Sequence, residues 1–181
     1  MNWWNILSQL VNENERDLRD RFRRARALAT GNTSTDVLAD GLTGRIFLVT
    51  TWTEGQGETD FKLILSRERY RVAETFRIEW WKYGGQSIPR ALRKCRPVVT
   101  AGDIVAVVRG GGDTTDKQFE AFRSPEACEA LNDLRQRYGV VVVTGIGHSN
   151  DHFPVDEVAT FAQATPTDAA YKICELLKVG A

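Results

Sequence analysis

The sequence has little cysteine, no long hydrophobic run and no net charge. Its three cysteines, Cys95, Cys128 and Cys174, are widely spaced and odd in number, which favours reduced thiols and gives no pair with zinc-ligand spacing. No apolar run is long enough to span a membrane. The N-terminus lacks the apolar core of a secretory signal, and its acidic residues argue against a transit peptide, so we expect a cytoplasmic location.

The balance of charge also limits the kinds of partner. Lysine and arginine together number 24, as do aspartate and glutamate, so the whole molecule has no basic field that would attract nucleic acid. Local basic stretches at residues 16–26 and 90–96 could hold such a partner, although a solvated charged helix face is the simpler interpretation of each.

The N-terminal residues have a helical pattern of their own. Between residues 2 and 30, apolar residues recur every three or four positions, which predicts one long amphipathic helix. Its apolar face must be covered by the rest of the chain or by another chain, so we expect a protein partner or self-association there. Residues 1–40 are assigned to this helix and a linker, and residues 41–181 to a second domain.

The second domain alternates apolar runs with helical patterns. Strands are predicted at residues 45–51, 76–83, 103–109 and 140–143, with the second at the sheet edge and the third at its centre. Thr59 or Asp60 is expected to cap the helix that follows the first strand. Further helices are predicted at residues 89–96, 116–122, 125–138, 155–162 and 168–178. The predicted class is α/β: a Rossmann-like, mostly parallel sheet of about four strands with flanking helices, plus the N-terminal amphipathic helix.

The third predicted strand ends in Arg109, which Gly110, Gly111 and Gly112 follow. Glycines let backbone amides approach a phosphate, and a guanidinium group supplies planar donors to its oxygens. Glycines that only turn the chain are an equally compatible interpretation. The spacing matches neither a Walker motif nor a dinucleotide fingerprint, so no nucleotide cofactor is expected.

The fourth predicted strand, a valine run, leads to His148 and Asp151. Because the carboxyl ends of parallel strands meet in one crevice, these side chains should face Arg109 and the loop at Asp60. A histidine can move a proton, a carboxylate can orient it or hold a metal, and an arginine can neutralise phosphate charge. The alternative is a histidine that serves only as a structural donor; His152 is interpreted as a bystander.

Several motifs in order resemble the large-subunit family of exodeoxyribonuclease VII. They are Arg109-Gly-Gly-Gly112, Gly147-His148-Ser-Asn-Asp151, Asp156-Glu-Val-Ala159 and Ala164-Thr-Pro-Thr-Asp-Ala-Ala170, and the resemblance spans residues 44–171. It implies an enzyme, an exodeoxyribonuclease-like hydrolase acting on single-stranded DNA. It also implies catalytic roles for Arg109, His148, Asp151 and Asp60, and phosphate binding by Arg109 and the three glycines. The candidate metal is Mg²⁺, with Asp60 and Asp151 as candidate ligands.

The sequence departs from that family pattern beside the glycines. Asp113 stands where the family usually has serine, and a carboxylate there would repel phosphate unless a cation lies between them. Residues 1–40 do not resemble the family's DNA-binding OB-fold, and no counterpart of its coiled-coil region is recognised. The alternative function is therefore a catalytically weakened binding or regulatory subunit of a larger nucleic-acid-processing complex. A small-phosphate or nucleotide-sugar binder rests on fold analogy alone.

Overall fold

The computed structural model describes residues 41–51, 54–79, 84–112, 117–148 and 150–179. Within these ranges it contains one sheet of five strands in the order β2-β1-β3-β4-β5, and every pairing is parallel. The strands are β1 (Ile46–Thr51), β2 (Val72–Ile78), β3 (Ile104–Arg109), β4 (Val141–Ile146) and β5 (Phe161–Gln163). The predicted α/β class is confirmed. The predicted helix at residues 2–30 lies outside the described residues.

Helices cover both faces of the sheet. They are α1 (Gln56–Arg67), α2 (Ser87–Cys95), α3 (Pro125–Tyr138), α4 (Pro154–Val158) and α5 (Pro166–Val179), with 3₁₀ segments at Gly84–Gln86 and Lys117–Arg123. Helices α1 and α5 pack on one face, and the remaining helical elements pack on the other. In the described part of the chain, no helix combines the length and the hydropathy that a membrane crossing needs.

The alternation of side chains along each strand explains why both faces are covered. In β1, Ile46 and Leu48 join the apolar cluster beneath α1 and α5, whereas Phe47 and Val49 join the cluster beneath α2 and α3. Strand β3 lies at the centre of the sheet, as predicted, and its residues from 104 to 108 are all buried. Each buried isoleucine, leucine, valine or phenylalanine side chain of this kind stabilises the fold by about 1.5–3 kcal/mol relative to leaving it in water.

Two of the predicted strands differ in their bounds. The prediction at residues 76–83 is wrong in position, because β2 spans Val72–Ile78, although its place at the sheet edge is confirmed. Edge residues 73 and 74 are exposed and therefore lack an apolar signature. Strand β4 continues past the valine run through Thr144, Gly145 and Ile146, which pair with the end of β3.

The elements around the last strand also differ from the prediction. The helix predicted at residues 155–162 ends at Val158, and Phe161–Gln163 forms the unpredicted strand β5. Three residues are too few to display a period of two. The helix predicted at residues 168–178 is confirmed and begins earlier, at Pro166, as α5.

Candidate functional site

The site lies where the ends of β1, β3 and β4 meet. Connections from β1 and β3 lead to opposite sides of the sheet, which makes this pair the switch point where open parallel sheets bind ligands. Arg109 ends β3 opposite Ile146, and the Gly147 amide donates to the Arg109 carbonyl at 2.9 Å. The loops after β3 and β4 therefore start side by side, as the parallel sheet predicts.

Gly147, His148 and Asp151 form a tight turn at the end of β4. Gly147 has φ +85°, a conformation that favours glycine, and a Cβ there would overlap the Asp151 carboxylate. Oδ2 of Asp151 accepts a hydrogen bond from the His148 amide at 2.7 Å, and the Asp151 amide donates to the His148 carbonyl at 2.9 Å. Asp151 therefore fixes the backbone that carries the histidine.

The His148 imidazole is held more loosely than its backbone. Its Nδ1 lies 3.7 Å from Oδ2 of Asp151, which is an electrostatic contact rather than a hydrogen bond. The histidine side chain is 68% exposed and that of Asp151 is 21% exposed. The carboxylate can thus steady a protonated imidazole while the ring stays accessible to a ligand.

Glycines place the two loops in direct contact. A Cβ on Gly111 would overlap Cε1 and Nε2 of His148, so the imidazole packs on the Gly111 backbone. A Cβ on Gly57 would come within 2.5 Å of the Gly110 Cα, so the start of α1 packs on the same loop. Of the three glycines after Arg109, Gly110 lies against the Gly57 backbone and Gly111 against the His148 ring, so these two have a packing role beyond turning the chain.

Arg109 folds back over its own loop. Its Nη1 donates to the carbonyls of Gly110 at 2.9 Å and Gly111 at 3.3 Å, and its guanidinium lies over the Phe119 ring, 5.2 Å from the centroid. The arginine is half-buried. It therefore fixes the shape of the glycine loop and keeps a positive charge beside it.

Two helix N-termini approach the same loop. Gly55 precedes α1 and supplies no side-chain cap, and Pro166 at the start of α5 lies 3.0 Å from where a Gly57 Cβ would be. Thr165 caps α5 by accepting from the Asp168 amide at 3.1 Å. Helix N-termini carry partial positive charge, which favours an anion at this edge.

Asp60 does not lie in a loop. Helix α1 begins at Gln56, so the expectation that Thr59 or Asp60 caps it is wrong; Asp60 lies in its second turn and accepts from Gln56 Nε2 at 2.7 Å. The described residues show no hydrogen bond or ion pair between Asp60 and Arg109, His148 or Asp151. Arg109, His148 and Asp151 thus lie on adjoining segments after β3 and β4, whereas the described hydrogen bond of Asp60 is to Gln56 in its own helix.

The acid nearest the start of α1 is Glu58, and it has a structural role. Its side chain is buried, with Oε1 at 2.9 Å from Nη2 of Arg77 in β2 and at 2.6 Å from Nζ of Lys62. These contacts tie the first turn of α1 to β2, and so hold Gly57 against the Gly110 loop.

The described residues do not gather a metal site. No group of three or more histidine, cysteine, aspartate or glutamate side chains that could hold a metal ion occurs among them. Asp60 and Asp151, the two expected ligands, hydrogen-bond to Gln56 and to the His148 amide. Mg²⁺ binding by Asp60 and Asp151 therefore stays a prediction.

One charged residue of the site, Arg123, is absent from the sequence-based expectations. It ends the 3₁₀ segment Lys117–Arg123, and its guanidinium lies 5.0 Å from the ring centroid of Phe153. Burial lowers the pKa of Arg123, and the carboxylates of Asp151 and Glu120 oppose that effect. The sequence indicates this segment only through Phe119 and Phe122, which are three residues apart just before Arg123 and are both buried in the structure.

These elements define a class: a parallel α/β domain with a histidine, a carboxylate and arginines at its switch point. The chain belongs to the exonuclease VII large-subunit family, because the family model described as "Exonuclease VII, large subunit" matches residues 45–178.

Individual relatives carry the same name. The exodeoxyribonuclease 7 large subunit of Corynebacterium glutamicum is 30% identical over 139 residues, which are 73% of this chain and 30% of the relative. That of Pseudothermotoga lettingae is 32% identical over 104 residues, 57% of this chain and 25% of the relative. The chain thus spans less than a third of either relative. Among solved structures, a putative phosphosugar isomerase from Salmonella typhimurium LT2 aligns with a TM-score of 0.43 and 14% identity, covering 87% of this chain and 43% of that one.

Proposed function

We propose that this chain is a nuclease domain that hydrolyses phosphodiester bonds in single-stranded DNA. One observation carries the proposal: in a member of this family, the loops after β3 and β4 hold Arg109, His148 and Asp151 at one edge of the sheet. The name of the relatives supports the substrate class, and their activity is brought to this chain as part of the proposal.

His148 is the proton-transfer group of this mechanism. A proton on Nδ1 would face Asp151, which leaves Nε2 as the base or, once protonated, as the acid. In the described conformation, Nε2 rests against Gly111. Because the side chain is largely exposed, a small rotation brings Nε2 to a water molecule or to a leaving oxygen above the glycine loop.

The positive groups at this edge would stabilise the phosphate. Charge on the non-bridging oxygens grows as the water attacks, and fixed positive groups lower the energy of that state. Arg109 is fixed by its bonds to the glycine carbonyls, and the start of α1 adds the partial charge of its amides. Neither group has to reorganise during the reaction.

A substrate panel tests this proposal. Purified protein is incubated with end-labelled single-stranded DNA, duplex DNA and single-stranded RNA, each with and without chelator. We expect shortened products from single-stranded DNA, and we expect His148→Ala to lower that rate by about 10²–10⁴-fold, the usual contribution of general acid–base catalysis. Undiminished cleavage by His148→Ala would contradict the proposed mechanism. Binding of single strands without cleavage by the wild-type protein would replace the proposal with the binding-subunit alternative.

A further inference from the structure

The segment Lys117–Arg123 adds a second fixed arginine to this edge of the molecule. Phe119 and Phe122 anchor the segment, since both rings are fully buried in the apolar cluster on that face of the sheet. Their partner is Phe153, which precedes α4 and is also buried. Arg123 is the last residue of the segment and directly follows Phe122.

An arginine lies over each ring of one aromatic pair. Phe119 and Phe153 stack with their centroids 5.4 Å apart and their planes 12° from parallel. The guanidinium of Arg109 lies 5.2 Å from the Phe119 centroid, and that of Arg123 lies 5.0 Å from the Phe153 centroid. Phe122 packs against both rings, at 6.3 and 6.1 Å. The two arginines thus contact the same buried aromatic stack.

Arg123 also belongs to the electrostatic surroundings of the catalytic turn. Phe153 is two residues from Asp151, and the Asp151 carboxylate is close enough to favour the charged form of Arg123. An arginine remains protonated at neutral pH even when it is partly buried. Its charge therefore compensates the Asp151 carboxylate, which would otherwise repel a nucleic-acid phosphate.

The stacked arrangement suits phosphate recognition. A guanidinium that lies over an aromatic ring uses its face for that contact, and its N–H groups, which lie in its plane, remain directed toward oxygen acceptors at the rim of the ring. Arg123 is half-buried, so part of its side chain is accessible to solvent.

We propose that Arg123 binds a second phosphate of the DNA strand, in addition to the one held at the Arg109 loop, with the Phe119–Phe153 stack supporting both guanidinium groups. This inference rests on the proposed nuclease function and extends it. It assigns to Arg123 a role in holding the strand rather than in transferring protons.

The test measures binding separately from turnover. All variants are made in a His148→Ala background, so that the oligonucleotide is bound without being cleaved; the backbone amide of residue 148 can still donate to Asp151. The dissociation constant for a labelled single-stranded oligonucleotide is measured between about 0.05 and 0.3 M salt, a range over which counterion release dominates. Arg123→Gln should weaken binding up to about fivefold. It should also lower the slope of log Kd against log salt by about 0.7, the value expected for one lost single-strand phosphate contact.

Two controls separate this role from a structural one. Arg123→Lys keeps the charge and should keep the slope. Arg137→Gln removes the same charge from an exposed residue, whose side chain is 79% accessible. Arg137 lies in the last turn of α3, which leads to the opposite edge of the sheet. This variant should change neither the affinity for the oligonucleotide nor the salt slope. Unchanged slope and affinity in Arg123→Gln would overturn the Arg123 role while DNA cleavage by the wild type still stands. Absence of any binding or cleavage by the wild type would overturn both proposals.

Discussion

Replacing Gly111 with alanine should slow DNA cleavage strongly while changing the free energy of unfolding little. Gly111 has no positive φ, so alanine fits its backbone, and the added methyl group meets only the far end of the His148 side chain. The methyl would overlap Cε1 and Nε2 of the ring and lie 3.0 Å from Cδ2. Since carbon atoms normally approach to about 3.5–4.0 Å, the imidazole must retreat by more than about 1 Å.

The expected effect on stability is small because the displaced ring is largely exposed. A strained or altered rotamer costs about 0.5–1.5 kcal/mol, which sets the upper limit for the loss in free energy of unfolding. The expected effect on cleavage is larger, since a misplacement of about 1 Å at a reacting group can cost about 10²-fold in rate. Single-turnover cleavage of labelled single-stranded DNA and urea unfolding give the two quantities.

Gly57→Ala is the matched control, because it adds the same methyl group beside the same loop. Here the methyl meets backbone, at 2.5 Å from the Gly110 Cα and 2.6 Å from the Gly110 nitrogen, and neither can rotate away. We expect a loss of about 1–3 kcal/mol in stability, as for overpacking. A Gly111→Ala variant that cleaves at the wild-type rate would refute the placement of His148 against this glycine.

Two further predictions concern buried groups. Burial raises the pKa of Asp156, so the folded chain gains stability as pH falls through that raised pKa toward the unfolded value of about 3.9. Asp156→Asn should be more stable than wild type at pH 7, with an advantage that fades as the pH falls toward 4; an advantage that grows on acidification would contradict this. Burial also raises the pKa of Cys95 to about 12, and that of Cys128 well above its usual value. At pH 8 a thiol reagent should therefore leave both unmodified in the folded chain and label all three cysteines in denaturant; rapid native labelling would contradict their burial.

The arrangement of the strands could be predicted because buried parallel strands have a distinctive sequence pattern. The valine run of β4 and the apolar run of β3 are long, β-branched and bounded by glycine, and their order along the chain implied that Arg109 and His148 share an edge. The weaker elements lacked such a signal. Strand β5 has three residues, and the first half of β2 is partly exposed at the sheet edge.

The contacts within the candidate site could not be predicted from the sequence. Local pattern placed Gly57 in a loop, whereas it is the second residue of α1, because a glycine is needed where the helix meets the Gly110 backbone. Proximity in sequence suggested that Asp151 orients the His148 ring, whereas its shorter bond is to the His148 amide. Arg123 could not be found from spacing, because its place depends on how three phenylalanine rings pack.

The central claim is that the turn at the end of β4 performs proton transfer in DNA cleavage. The chain has two histidines, which are four residues apart and both more than half exposed. His148 packs on the glycine loop, whereas Nε2 of His152 lies 2.6 Å from Oε1 of Glu157. The decisive measurement is the single-turnover rate of single-stranded DNA cleavage by His148→Ala and by His152→Ala, with unfolding curves for both. We expect a loss of about 10²-fold or more for His148→Ala and a rate within about twofold of wild type for His152→Ala. Equal rates in the two variants would contradict the claim.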